Sequence, residues 1–293
     1  MFVLECTNMK TILVPCDFSQ PAINAYRFAL DIAAQSGGSI HLIHIIELPI
    51  LHGAGAISVL EFEQRFLDEL KEKALGKFAK IIDKYSSNGT NVKWTVAFGV
   101  PAKTIIDVIN DQGISLVIMG SHGASGLREY LIGSNAEKVI RKSSAPVLVI
   151  KDYFKGAVKN IVFPNMLDLF DQDDLVVKVK ALQQFFKARL HIVWINTPLT
   201  FTADVITMQR LNSFTKHYKL TDYTVNIYNH RTEEEGIIEF SRLVKGDIIA
   251  IGTHARTGIA HLINGSLAED VANHTNTIVW TYTLKNEPVE ASN

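Results

Sequence analysis

Cysteine is nearly missing from this 293-residue chain: the two present, Cys6 and Cys16, are too few and too close together for a disulfide framework. They fit a reducing cytoplasm. No apolar run approaches the roughly 20 residues of a membrane span. No charge of one sign dominates, since the formal net charge is −1, which argues against a general nucleic-acid or membrane-surface binder. The Walker phosphate loop with its lysine and Ser/Thr is absent, and so is the G-x-S-x-G elbow of a hydrolase nucleophile. His41 and His44 stand three apart in a strand-like run, on opposite faces, and His122 and His254 each stand alone. None of these forms a metal-ligand set, and no residue set looks built to activate a nucleophile.

What is present is a glycine-spaced stretch, Val117 to Ser134, reading VIMGSHGASGLREYLIGS. An apolar run, Leu116 to Met119, stops at Gly120; Gly123 follows, then the pair Gly133-Ser134. Ser134-Asn135-Ala136-Glu137 has the form of a capping box that opens a helix. Glycines let backbone N–H groups approach a ligand with no Cβ in the way. A helix start adds unpaired donors and the positive end of a dipole. That combination suits an anion, phosphate above all. The stretch returns as IAIGTHARTGIAHLINGS, with Gly252 and Gly265 each 132 positions after Gly120 and Gly133. Ser266 and Glu269 repeat the box, while Ala255 replaces Gly123.

The rest of the chain repeats too. At 293 residues and 47% hydrophobic it is long enough for about two domains of roughly 150 residues, each with an ordinary core. KTILVP (Lys10 to Pro15) matches KNIVFP (Lys159 to Pro164), and Ile40 to Ile46 matches Arg189 to Ile195. Ser19 and Pro21 signal a helix start, and Gly37-Gly38 its end. Leu60 to Tyr85 reads as a long amphipathic helix with Phe62, Phe66, Leu70, Ala74 and Phe78 on one stripe. The offset between halves falls from 149 at Pro15/Pro164 to 132 at Gly120/Gly252, so 17 residues are trimmed from the loop and long helix of the second half. We place the domains at 1–152 and 153–293, with Asp152 to Lys159 as linker and Asn286 to Asn293 as a frayed tail. Met1 to Met9 lacks the basic front and long core of a signal peptide. Each half alternates strand and helix and ends on a strand, which predicts an α/β fold with a parallel sheet covered on both faces. Ligands on that architecture sit at the carboxyl ends of strands where the strand order reverses. The last strands, Pro146 to Ile150 and Thr277 to Tyr282, are expected to pair antiparallel across a pseudo-dyad, an internal pseudo-dimer.

These motifs resemble the universal stress protein family, in its tandem two-domain form. The resemblance is carried by G-x2-G-x9-G-[S/T] at Gly120, Gly123, Gly133 and Ser134, by Pro15-Cys16-Asp17 ending the first strand, and by His44-Ile45 in the second. It covers nearly the whole chain. It implies two tandem Rossmann-like (adenine nucleotide alpha hydrolase-like) domains, each a five-stranded parallel sheet flanked by helices. It implies a cytoplasmic, ATP-binding stress-response regulator that takes ATP (or AMP or ADP) with magnesium, chiefly in the N-terminal domain. Pro15, Cys16 and Asp17 would flank the nucleoside, and Ile45 would hold the adenine through its backbone. Met119, Gly120, Gly123, Gly133, Ser134 and Asn135 would hold ribose and phosphates. In the second half Met166 replaces Asp17 and Ala255 the loop glycine, although Asn165, Ile195, Gly252, Gly265 and Ser266 still fit. Further partners would be a second copy and an unnamed protein; nucleic acid and membrane are not expected.

Plainer readings stand beside these. The glycine stretch also suits a tight structural turn, Ser134 a simple helix cap, and Asp17 a turn residue bonded to its own backbone. Cys16 suits either a reactive thiol or a small packed side chain. A slow ATPase or phosphate-transfer enzyme lacks a visible general base, and a nucleotide-free scaffold is the other alternative. Arg128 and Arg256 are solvated or touch a phosphate.

Overall fold

The computed structural model describes residues 9–47, 58–86, 89–121, 133–167, 172–254 and 267–284, without the side chains of 58–63 and 254. The first half runs β1 (Thr11–Pro15), α1 (Gln20–Ser36), β2 (Ser39–Ile46), α2 (Ser58–Tyr85), β3 (Asn91–Phe98), α3 (Pro101–Asp111), β4 (Leu116–Gly120), α4 (Ser134–Lys142) and β5 (Val147–Ile150). The second half repeats that order as β6 (Asn160–Pro164), α5 (Asp173–Phe186), β7 (Arg189–Asn196), α6 (Asp204–His217), β8 (Tyr223–Asn229), α7 (Glu233–Leu243), β9 (Ile248–His254), α8 (Leu267–His274) and β10 (Ile278–Leu284). The 17 trimmed residues fall where expected: α2 has 28 residues and α6 has 14.

Each half is a Rossmann-like unit with its strands parallel, and the strand order is β3-β2-β1-β4-β5-β10-β9-β6-β7-β8. The two five-stranded sheets therefore fuse into one ten-stranded sheet. The fusion is the antiparallel pair β5–β10, with Val149 opposite Val279, Leu148 opposite Trp280 and Val147 opposite Thr281. At the 132-residue offset Trp280 is the counterpart of Leu148, so the pseudo-two-fold axis passes between these two residues. The expected antiparallel pairing of the last strands is thus realised, and Val147, Val149, Ile278 and Trp280 are all buried.

Alternation along each strand sorts the core into two layers. Ile12 and Val14 face α1 with Ala25, Phe28, Ile32 and Phe78, whereas Leu13 faces the other side with Ile105, Ile109, Val139 and Ile140. Both layers run through the β5–β10 joint into the second half. Helix α1 starts as its sequence directs. Ser19 is the N-cap, its hydroxyl accepting the Ala22 N–H at 3.4 Å, and Gly37 closes the helix at φ 64°, a left-handed position that a side chain resists. The stripe expected along α2 is buried only in its C-terminal part. Ala74 and Phe78 are packed, but Phe66 is 48% exposed; Phe62 lies outside the described side chains.

Candidate functional site

The strand order reverses between β1 and β4, and the carboxyl ends of these two strands carry Pro15 and Gly120. Gly120 belongs to the packing of this corner. A Cβ there would stand 2.3 Å from the Pro21 carbonyl carbon and 2.4 Å from the Ala22 nitrogen, so the backbone of the first turn of α1 closes directly on the end of β4. At Gly252 the same atom would meet only the Leu175 side chain. Helix α5 starts at Asp173, roughly one turn later than α1 relative to its strand, and its backbone stays clear.

Asp17 forms the turn after β1. Its Oδ1 accepts the Ser19 N–H at 2.9 Å, and the residue is exposed, which leaves the other carboxylate oxygen open. Phe18 follows at φ 68°, a conformation uncommon for a non-glycine residue and costly to hold. Its ring is clamped by His44 at 4.5 Å and Phe78 at 5.0 Å, with the Lys77 ammonium 4.9 Å from its centre. His44 in turn donates from Nδ1 to the Cys16 carbonyl at 2.8 Å. Leu167, the counterpart of Phe18, repeats the left-handed backbone at φ 59°. Of the two readings of Cys16, the packed one holds. The residue is buried, and burial pushes its thiol up to about 11, far from a nucleophile's range.

Strand β1 ends three residues short of β2. The last registered pair is Pro15 with Ile43, after which the Cys16 N–H donates to the Ile43 carbonyl. Backbone groups on a strand alternate in direction, so Ile45 turns its N–H and C=O to the side that β1 no longer covers. Neither finds a partner among the described residues. One donor and one acceptor on a single residue are therefore open at the edge of the corner.

The start of α4 supplies further open donors. Here the structure corrects the sequence: Gly133, not Ser134, is the N-cap, and no side chain caps the helix. Gly133 takes the boundary conformation and its carbonyl accepts from Ala136 at 2.8 Å and Glu137 at 3.2 Å. Ser134 becomes the first helical residue, exposed, and the N–H groups of Ser134 and Asn135 have no acceptor among the described residues. An uncapped helix start suits an anion better than a capped one. Of the second box only the glutamate is described. Ser266 is outside the described residues, and Glu269 is buried, its carboxylate held by Arg141 of α4.

Pro15, Asp17, Gly120 and the backbone of Ile45 thus lie at the carboxyl ends of three adjacent strands, with Cys16 and Met119 buried beneath. Gly123, with His122 and Arg128, lies outside the described residues. One polar group was missed: Ser121, directly after Gly120, is buried, and its hydroxyl has no partner among the described residues. Its place between Gly120 and the rest of the glycine stretch is the signal that could have found it.

Among the described residues no helix is long and apolar enough to cross a membrane. The Universal stress protein family matches residues 8–151. Two universal stress proteins of Methanocaldococcus jannaschii are 35% identical over 153 residues and 30% identical over 142. Each match takes 48% of this chain and covers 94% and 82% of those proteins. The crystal structure of a universal stress protein from Archaeoglobus fulgidus superposes with a TM-score of 0.74 at 20% identity, covering 95% of this chain and all of that one, so the shared fold extends over both halves. With the motif, the fold and these relatives in agreement, the chain belongs to the universal stress protein family, its first half matching the family and its second half repeating the fold.

Proposed function

We propose that this protein is a cytoplasmic regulator that binds ATP, with magnesium, in its first domain (residues 1–152), and that the second (153–293) is a partner domain with a degraded site. The observation that carries the reading is the open backbone of Ile45 facing the same corner as the uncapped start of α4. A purine edge presents one donor beside one acceptor, which matches the N–H and C=O of Ile45. A phosphate chain matches the N–H groups of Ser134 and Asn135 and the dipole behind them. Asp17 has a carboxylate oxygen to spare for a ribose hydroxyl. The buried hydroxyl of Ser121 has no partner among the described residues, and a polar ligand could supply one.

In the second half Ile195 keeps the position of Ile45, but Met166 has no carboxylate and is 58% exposed. Binding energy at the first site becomes stability by mass action and biases whatever surface a protein partner reads. Ligand extracted from the purified protein and weighed by mass spectrometry, with calorimetric titration of ATP, tests this. One site per chain is expected. Two comparable sites, or none, would overturn it. Gly123→Val is expected to remove binding and leave the fold intact.

A further inference from the structure

A cleft of about 830 Å³ lies elsewhere, at the carboxyl ends of β7 and β8 in the second half. That volume falls in the range of small-molecule sites, roughly 300–1,000 Å³. Its floor is built, not incidental. Asn196 and Asn229 end their strands in register, and the Asn196 amide donates to Asn229 Oδ1 at 3.0 Å. Asn196 Oδ1 accepts the Thr202 N–H at 2.9 Å, and the Asn196 carbonyl accepts the His230 N–H at 3.0 Å. One residue thereby fixes the β7–α6 loop and the β8–α7 loop together. Within the first loop, the Thr200 N–H bonds both the carbonyl and the hydroxyl of Thr197. Gly236 admits α7 against this floor, since a Cβ there would stand 2.6 Å from Ile195 Cγ2 and 2.9 Å from His230 Cβ.

This ordered frame holds apolar side chains out of the core. Phe201 is 73% exposed and Val205 71%, and both line the cleft. A tied-down loop has no need to display a phenyl ring to water, and such a surface marks a binding site when a shaped cavity adjoins it. Three ionisable groups face the cleft. His230 is occupied by the α7 carboxylates, 3.4 Å from Glu239 and 3.8 Å from Glu235. Asp204 sits in the first turn of α6, where the helix dipole accounts for it. Arg231 is exposed, with no carboxylate partner among the described residues, and nothing in the fold uses its guanidinium.

We propose that this cleft is a second binding site, distinct from the nucleotide corner, for a small molecule with a planar aromatic ring and one anionic group. The ring packs on Phe201 and Val205, and the carboxylate or sulfonate takes the fork of Arg231. The occupant is a small molecule, not a protein segment, because the cleft's volume suits such a ligand and a phenyl ring and a guanidinium with no carboxylate partner among the described residues line it together.

The probe is 8-anilinonaphthalene-1-sulfonate on the full chain, followed by fluorescence, with neutral N-phenyl-1-naphthylamine as comparison. We expect one saturable site that excess ATP does not displace. Phe201→Ala should weaken both probes about tenfold. Arg231→Gln should weaken the sulfonate about tenfold and leave the neutral probe unchanged, while Asp204→Asn should tighten the sulfonate. These side chains are exposed, and circular dichroism checks that each variant keeps its fold. Unchanged sulfonate binding in both Phe201→Ala and Arg231→Gln would overturn the proposal, as would equal loss of both probes in Arg231→Gln, which marks a plain apolar or protein-docking surface. Displacement by ATP would overturn it by making the cleft a nucleotide site, and the outcome at the first-domain corner is read separately by Gly123→Val.

Discussion

Arg141, in the last turn of α4, grips Glu269, in the first turn of α8, as a fork: Nε to Oε1 and Nη2 to Oε2 are both 2.6 Å. The carboxylate is buried, whereas the arginine side chain is 58% exposed. The contact joins the two halves beside the β5–β10 seam and is not symmetric. Glu269 is the counterpart of Glu137 and Arg141 that of Asn273, so the pseudo-dyad cannot reproduce it. On the other side of the axis the Asn273 carbonyl accepts the Lys151 ammonium at 2.6 Å. The polar contacts on the two sides of the shared pair of strands are therefore unlike.

Arg141→Met should therefore cost about 1–2 kcal/mol, less than breaking a fully buried pair because Arg141 is half-exposed and solvent screens it, yet more than a surface pair because it strands the buried Glu269 carboxylate. Arg141→Met combined with Glu269→Leu should recover most of that loss, since both charges are then gone. Urea denaturation of the parent, both single variants and the double variant measures the coupling. Additive losses would show that the fork contributes no pairwise energy.

Asp17→Asn separates two roles that one side chain carries. Asparagine keeps the Oδ1 that accepts from Ser19, so the turn survives and stability should stay within about 0.5 kcal/mol of the parent. It removes the charge and turns the free oxygen into a donor. ATP affinity should fall about tenfold if that oxygen holds a ribose hydroxyl. A thermal melt and a calorimetric titration of the same sample read the two effects.

His41 and His191 are counterparts on β2 and β7, both buried and both bonded to a strand threonine: Thr95 at 2.8 Å and Thr224 at 2.9 Å. Burial lowers the pKa of each below its ordinary 6.5. The sign follows from linkage. Below 6.5 the unfolded chain takes up protons that the folded chain refuses, so stability is fully present above 6.5 and is lost as the pH falls through it toward the folded pKa values. Each histidine contributes at most about 1.4 kcal/mol per pH unit in that window. His41→Gln with His191→Gln should flatten the loss between pH 7.5 and 5.5, measured by urea denaturation at both values. An unchanged slope would assign the acid sensitivity to other groups.

The parallel strands were legible because KTILVP, KNIVFP and their partners are short apolar runs between strong helix signals. The helix caps Ser19 and Gly37 were legible because a cap is a local bond. What was not legible depended on partners far along the chain. Glu269 reads as a capping glutamate until Arg141, 128 residues earlier, is placed beside it. Ser134 reads as a cap until the backbone of Gly133 takes the boundary. Phe66 fits an apolar stripe by period, but period alone does not say what packs against it. In the site, residue types were visible and backbone openness was not: the free N–H and C=O of Ile45 follow from β1 stopping early, which no side chain encodes. Phe18 gives no sign of its left-handed backbone, which the His44 and Phe78 rings hold in place.

The seam itself gives the last prediction. Val149 faces Val279, Leu148 faces Trp280, and Val147 faces Thr281, and the strand residues on both sides are buried. Trp280 stands where a second Leu148 would stand in a symmetric pair. The β5 edge is thus geometrically ready to pair with a copy of itself, Leu148 opposite Leu148 and Val147 opposite Val149. Cutting the chain after residue 152 removes β10 and leaves that edge with unpaired N–H and C=O groups above an apolar layer, a template for another strand. The fragment also loses Glu269, which frees Arg141, and an isologous contact sets the Arg141 of each copy near the Glu137 of the other, because Glu137 is the counterpart of Glu269. Both the strand edge and the charge pair can therefore be restored by a second copy. Residues 1–152, expressed alone and folded by circular dichroism, should sediment as a dimer, and Arg141→Met should weaken the association. A folded fragment that stays monomeric at high concentration would mean that the seam owes its pairing to Trp280 and the linker, and not to the shared geometry of the two edges.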